Sequence, residues 1–523
     1  MRRFGGWLAL VCVGSLGACK LLERDAKPGA PMPLPAPATH YVTEPTPHAA
    51  PTSERGQRLQ AEVVQALAQR GEHASADGAL RDAGSWALNE LYEGRSVDGL
   101  GIEAASKRFG FAGVTVTSSV FELSGVARWR ERVLEVPAQQ RLARYGVSVA
   151  AKGDWAAVVF GSSEATYPPL RRSYRAGELL GLRGTVADVY EKSELFLAKP
   201  DGTIEERAGT GRAFDGSFSL LAPGVYQLEV VGDGVMGPVV LSNVPIYVDT
   251  PEPRPLSTSG GVLTPEAAEA RLLEMLNEAR VAARLQPLQP DAELRQVALA
   301  HSTDMVKANF FGHVSPTTGT TAERVERSGL VLSKIGENVA SVDTADAAHR
   351  GLMDSPGHRA NMMRRDFTHV GIGVRRKDSG LVATLLFGRR PDPNDFPRDA
   401  ARVESELQAL RSRRSLPEAR SDALYRASAD AGAAAFAEGA DTSRITRAAE
   451  VGLHREVERL QTSRPASCVV SVKLLELAEL EDVLGLQSPT LKRFGIGARV
   501  QTDARGTRRL ATVFVLEDSA PCN

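Results

Sequence analysis

Apolar positions recur along this chain in three different rhythms. After Thr264 the rhythm is helical: Leu272, Met275, Leu276 and Ala279 fall at i, i+3, i+4 and i+7, on one face. Thr264-Pro265-Glu266 just ahead of them predicts the helix start, with a hydroxyl cap and a proline in the first turn. A second helix is predicted after Asp291, with Leu294, Val297, Ala298, His301 and Met305 on one stripe. A third follows Thr344 over residues 346–353. Between residues 171 and 250 the rhythm shifts to short alternating runs such as Leu195-Phe196-Leu197 and Tyr226-Gln227-Leu228-Glu229-Val230. Glycines and the turns Pro200-Asp201-Gly202 and Pro223-Gly224 punctuate them, which predicts a small antiparallel β-sandwich. The last rhythm is an apolar run over residues 4–16, broken only by Gly and Ser and preceded by Arg2 and Arg3. It is too short to span a membrane and has the build of a signal peptide.

One tail pattern occurs three times. Tyr145-Gly146-Val147-Ser148-Val149 precedes the run Trp155-Ala156-Ala157-Val158-Val159-Phe160-Gly161. Val370-Gly371-Ile372-Gly373-Val374 precedes Val382-Ala383-Thr384-Leu385-Leu386-Phe387-Gly388, and Phe494-Gly495-Ile496-Gly497-Ala498 precedes Leu510-Ala511-Thr512-Val513-Phe514. Each reads as an antiparallel hairpin closing a segment that opens with amphipathic helices, the mark of a repeated module. The expected organisation is a signal peptide over 1–18, a Pro-rich linker over 19–54 and repeat modules over 55–165, 264–390 and 400–523. A β-sandwich over 171–250 lies between the first two modules.

Charge narrows the partners. The 63 Lys and Arg nearly balance the 64 Asp and Glu, so no cationic surplus exists to neutralise phosphates, and nucleic acid is not expected as a partner. Eight prolines between residues 20 and 54 favour an extended, semi-rigid stalk. Leu16-Gly17-Ala18-Cys19 resembles the lipobox of bacterial lipoproteins, which implies cleavage before Cys19 and acylation of that residue. Lipid is then the expected membrane anchor, at the outer membrane or cell surface, with an extracellular location as the alternative. Cys12 leaves with the signal, so Cys468 and Cys522 remain. In an oxidising compartment they read as one disulfide, with two free buried thiols as the alternative.

Five of the nine histidines (301, 313, 349, 358 and 369) fall within residues 264–390. Three polar motifs accompany them: Gly312-His313-Val314-Ser315-Pro316, Gly336-Glu337-Asn338 and Ser355-Pro356-Gly357-His358-Arg359-Ala360-Asn361. With the following Gly371-Ile372-Gly373-Val374, their order and spacing resemble the bacterial branch of the CAP superfamily (cysteine-rich secretory, antigen 5 and pathogenesis-related proteins). The resemblance implies an α-β-α sandwich whose cleft gathers His313, Glu337, His358 and Asn361. The second acid of the eukaryotic pattern is absent, with Ser355 near its place, and the usual Trp six residues before the second histidine is Leu352. The fold class expected is thus α+β and multidomain: three CAP-like α-β-α sandwich copies plus one antiparallel β-sandwich. The flanking copies are degenerate, holding one histidine each, His73 and His454, and none of the polar motifs.

Two imidazoles and a carboxylate from His313, Glu337 and His358 suit zinc or another divalent cation. The same trio suits a general acid and base oriented by a carboxylate, or a buried network that holds loops. His301 lies on an apolar stripe and reads as a core histidine, while His349 and His369 match no functional position of the family. The leading expectation is an exported, lipid-anchored CAP protein binding a lipid, sterol-like or peptide ligand at the cell surface. One alternative is a metal-dependent peptide hydrolase using His313, Glu337 and His358; another is a structural envelope lipoprotein. Catalysis stays undecided, with binding favoured because two copies lack the polar residues. The trio is expected to converge in a cleft open to solvent.

Overall fold

The computed structural model describes residues 10–12, 30–47, 51, 53–123, 129–136, 140–150, 154–255, 263–377, 380–390, 400–461, 468–474, 480, 486, 488–502 and 508–518. They form a mixed α/β structure in two compact units, one of residues 8–330 and 335–388, the other built around residues 389–523. Among the described residues, no helix is long and apolar enough to cross a membrane.

Local signals set the helices around the histidine motifs. Thr264, Asp291 and Thr344 each cap a helix (Pro265–Ala282, Ala292–Lys307 and Ala345–Asp354) by accepting a backbone N–H of its first turn. Thr320 and Glu323 form a reciprocal capping box on Thr321–Ser328. The strands His369–Lys377 and Gly380–Arg389 pair as the expected hairpin, with Gln289–Pro290 parallel at one side and Lys334–Val342 at the other. Leu10–Cys12 lies parallel beside Asn338–Ala340 at the outer edge. Leu272, Leu276, Leu352, Val374, Leu385 and Phe387 fill the core on one side of this sheet. Helix Ala292–Lys307 passes so close to the hairpin that a Cβ on Gly371 would sit 2.1 Å from the Arg295 amide nitrogen. Only glycine allows that approach.

The segment before the sandwich repeats this order of strands: Ser75–Ala76, Arg144–Val149, Trp155–Ser162, then Val114–Glu122 at the far edge. In the second unit the order is Arg420–Ser421, Leu491–Thr502, Arg508–Asp518 and Cys468–Leu474. One backbone bond recurs at the same place: the N–H of Asp77, Asp291 and Asp422 donates to the carbonyl of Tyr145, Val370 and Phe494. Gly146 and Gly495 press on helix backbone as Gly371 does, with added Cβ atoms 2.1 Å from Arg81 N and 2.0 Å from Tyr425 C. Cys19, Cys522 and the side chain of Cys468 lie outside the described residues, so the lipid anchor and the disulfide do too.

The alternating stretch forms two stacked sheets. One holds Ala213–Ser219, Leu179–Val186 and Ala165–Thr166; the other holds Ile204–Ala208, Lys192–Ala198, Gly224–Gly234, Gly237–Val248 and Ser173–Tyr174. Leu180, Leu195, Phe214, Phe218, Tyr226, Leu228 and Val230 are buried between them. Pairing of Ala165–Thr166 with Thr185 and Val186 starts this body earlier than residue 171. The Pro-rich segment also departs from expectation, because part of it is packed rather than a free stalk. His40–Tyr41 pairs with Leu170–Arg171, and Tyr41 is fully buried in the sandwich core, its hydroxyl donating to the Pro245 carbonyl at 2.7 Å. Residues 38–44 contain no proline, which frees their N–H groups for such pairing, and Tyr41 brings a large apolar ring to bury.

Candidate functional site

Three elements bring the polar motifs together. His313 sits in the loop after helix Ala292–Lys307, Glu337 on strand Lys334–Val342, and His358 and Asn361 on the short helix Pro356–Met362. All four are buried, none more than 3% exposed. Glu337 Oε1 accepts from His313 Nδ1 at 2.8 Å and from Thr321 Oγ1 at 2.9 Å, while Arg324 Nη2 donates to both carboxylate oxygens at 2.9 and 2.7 Å. Burial by itself raises the Glu337 carboxyl, but Arg324 foremost, then His301 and His313, hold it well below the usual carboxylate range. An ionised carboxylate cannot donate, so His313 carries a proton on Nδ1, and its buried Nε2 has no protein partner.

His358 is held differently. Its Nδ1 lies 2.7 Å from Ser355 Oγ, and that hydroxyl donates to Glu229 Oε1 at 2.6 Å. Glu229 comes from strand Gly224–Gly234 of the sandwich, is fully buried, and accepts from the Gly357 N–H through Oε2 at 3.1 Å. Burial pushes its carboxyl up to about 7, against the opposing bonds from Ser355 and Gly357. Burial, and then the charge of His313, pushes His358 well below the usual imidazole range, and its buried Nε2 likewise has no protein partner. Asn361 ties the loops together: its amide donates to the Glu337 carbonyl at 3.3 Å and to Asn338 Oδ1 at 2.9 Å, and Asn338 donates to the His358 carbonyl at 3.0 Å.

His301 is buried on its helix, with Nε2 2.9 Å from the Gly312 carbonyl, and it also lies 3.8 Å from Glu337 Oε1. Burial pushes it down to about 4, which keeps it neutral at physiological pH. His369 is only half-buried, with Nδ1 2.8 Å from Thr368 Oγ1, and His349 is half-buried on helix Ala345–Asp354.

The arrangement does not fit a three-ligand metal set of His313, Glu337 and His358. Both Glu337 oxygens are taken by Arg324, with His313 and Thr321 also on Oε1. Among the described residues, no group of three His, Cys, Asp or Glu is placed to hold an ion. What remains are two buried imidazoles, each with an Nε2 that has no protein partner. The expected opening to solvent is also absent here. The Met236 carbonyl of the sandwich turn accepts from the N–H groups of His313 and Val314 at 3.0 and 3.1 Å, and Leu10–Cys12 pairs alongside Glu337's neighbours. Sequence reasoning did not find Glu229, Thr321 or Arg324. The one signal for Arg324 is its position one helical turn after Thr320, which seats it beneath the His313 loop.

Residues 273–387 match the family model described as the cysteine-rich secretory protein family, CAP. This segment is a CAP domain. The uncharacterized protein YkwD of Bacillus subtilis is 34% identical over 132 residues, 25% of this chain and 51% of its own. The uncharacterized membrane protein YlbC of the same organism is 37% identical over 111 residues, 21% of this chain and 32% of its own. The chain thus spans about a third of one of these curated relatives and about half of the other. Among solved structures, an extracellular protein containing an SCP domain from Bacillus anthracis is similar at 23% identity, with a TM-score of 0.23, over 44% of this chain and 81% of its own.

Proposed function

We propose that this chain is an exported, lipid-anchored protein whose CAP domain binds extended peptide at the cell surface. The observation that carries this reading is the seat of Met236. Its carbonyl takes two adjacent backbone donors at His313 and Val314, and its side chain packs against Met305, Phe310, Phe311, Val339 and Val382. Main-chain bonds beside an apolar pocket are how peptide grooves combine affinity with selectivity. The added strand Leu10–Cys12 supports the same reading, since it pairs with the edge residues Asn338, Val339 and Ala340. Cleavage before Cys19 removes that strand and leaves its place to a peptide from elsewhere.

The lipobox places Cys19 at the mature N-terminus, acylated and held at the outer membrane or cell surface. The segments 55–165 and 400–523 are diverged copies of the CAP domain, supported by the recurring strand order and by the aspartate bond to each hairpin. Neither flanking segment holds the polar motifs around His313, Glu337 and His358, so site chemistry rests on the middle copy.

The test is calorimetric titration of residues 19–523, made soluble by Cys19→Ser, with a synthetic peptide of residues 7–14 carrying Cys12→Ser. Saturable binding with slowed amide exchange at Asn338–Ala340 is expected. No binding at millimolar peptide removes the peptide reading.

A further inference from the structure

The two imidazoles of the CAP site are each backed at Nδ1, one by a carboxylate directly and the other through a hydroxyl. His313 meets Glu337, whereas His358 meets Ser355, and behind Ser355 stands Glu229 from the sandwich. Ser355 holds the N-cap position of helix Pro356–Met362, yet its side chain makes no capping bond there. That duty falls to Glu229, whose Oε2 accepts from the Gly357 N–H. The hydroxyl is thereby free to bridge, and it has one proton to give. When Ser355 gives that proton to the ionised Glu229, its oxygen is left only as an acceptor for His358, whose ring proton must then be on Nδ1.

We propose that Glu229 is a positioning residue of the CAP site: in its ionised form, acting through Ser355, it fixes His358 as the Nδ1–H tautomer. His358 then presents an Nε2 acceptor, suited to a ligand group that donates a hydrogen bond. The working unit is the CAP domain together with the sandwich, which supplies an acid that the CAP segment lacks. This inference does not rest on the peptide reading above, since it concerns the state of the ring in the free protein.

Glutamine at position 229 gives a decisive test, because the Gly357 N–H dictates which way its amide faces. The amide oxygen turns to that N–H, and the amide nitrogen then donates to Ser355 Oγ. The serine proton must swing to His358 Nδ1, and the ring proton moves to Nε2. The experiment is nitrogen-15 NMR at pH 8 on the mature chain carrying Cys19→Ser, labelled at histidine, with His358 assigned through His358→Gln. The wild type should show His358 protonated at Nδ1, and Glu229→Gln should show it protonated at Nε2 with the His313 signals unchanged. A folded Glu229→Gln chain that keeps His358 protonated at Nδ1 overturns the proposal. If that variant does not fold, Ser355→Ala decides: loss of the Nδ1–H preference supports the relay, and full retention overturns it.

Discussion

Arg324 donates through a single nitrogen to both carboxylate oxygens of Glu337, at 2.9 and 2.7 Å, with the two side chains 5% and 1% exposed. Its other terminal nitrogen holds the carbonyls of His313 and Gly319, at 2.9 and 2.7 Å. One guanidinium therefore neutralises the central carboxylate and also shapes the loop that presents His313. Removing one partner of a buried pair leaves the other charge uncompensated, which costs about 3–5 kcal/mol. Arg324→Ala should lose that much stability in urea denaturation at pH 7. The double change Arg324→Met with Glu337→Leu should cost less than the sum of its parts. Because Glu337 is held below its unfolded value of 4.5, its contribution is present above that pH and fades as acid is added. Stability of the Arg324→Ala chain should vary less across that acid range; an unchanged acid slope removes the pair from the account.

Glu229 acts in the opposite direction and in a different window. Its folded value of about 7 lies above its ordinary 4.5, so between these pH values the folded protein holds a proton that the unfolded chain releases. Stability should fall as pH rises through that window, by on the order of 3 kcal/mol for a shift of this size. Glu229→Gln keeps both hydrogen bonds and cannot ionise. Guanidinium denaturation at pH 5, 6, 7 and 8 should show the variant gaining on the wild type as pH rises. A constant difference between the two chains across the series would rule out a raised Glu229.

These two acids also show how far the sequence can be read. The helices of the CAP domain are legible because caps and stripes act locally: Thr264, Asp291 and Thr344 accept from their own first turns. His313, Glu337 and His358 are legible because each sits in a distinctive short motif. Glu229 is not. In its strand Tyr226, Leu228 and Val230 point into the sandwich core, so alternation puts Glu229 on the face that reads as solvated. At Glu229 that face is covered by Ser355 and Gly357 of the CAP domain, which only tertiary structure reveals. Helix Thr321–Ser328 misleads in the same way: its sequence is polar almost all round, yet Thr321 and Arg324 are turned inward by Glu337. Tyr41 is hidden for a third reason, since proline content speaks for the segment as a whole and not for its proline-free middle.

The lipid anchor makes a separate prediction. If Cys19 is the acylated N-terminus, Cys19→Ser should abolish incorporation of labelled fatty acid and shift the chain from the membrane pellet to the soluble fraction, or leave it unprocessed. Membrane fractionation and labelling equal to the wild type would exclude the anchor.

The repeated glycine offers a test of the three-copy reading that needs no ligand. At Gly146, Gly371 and Gly495 an added Cβ would lie 2.0–2.1 Å from helix backbone atoms, at Arg81 N, Arg295 N and Tyr425 C. Backbone cannot rotate aside as a side-chain tip can, so the helix must move off the sheet. Overpacking of a tight contact costs typically about 1–3 kcal/mol and more when the main chain must shift. The segment of residues 55–165 shows the same crowding one step along the strand. Where the CAP domain has Gly373, this segment has Ser148, and the helix answers with Gly84, whose added Cβ would be 3.0 Å from Ser148 Oγ. Alanine at each of the three glycines should therefore destabilise its own segment by about 3 kcal/mol. Gly181→Ala, in a sandwich strand with nothing within 4 Å of the new Cβ, serves as the control and should be near neutral. The measurement is hydrogen exchange read segment by segment, which separates the three segments within one chain. Similar losses at all three sites support one ancestral packing. A tolerated Gly495→Ala or Gly146→Ala would mean that the hairpin and helix of that segment meet by a different contact, and the segment would then not be a copy.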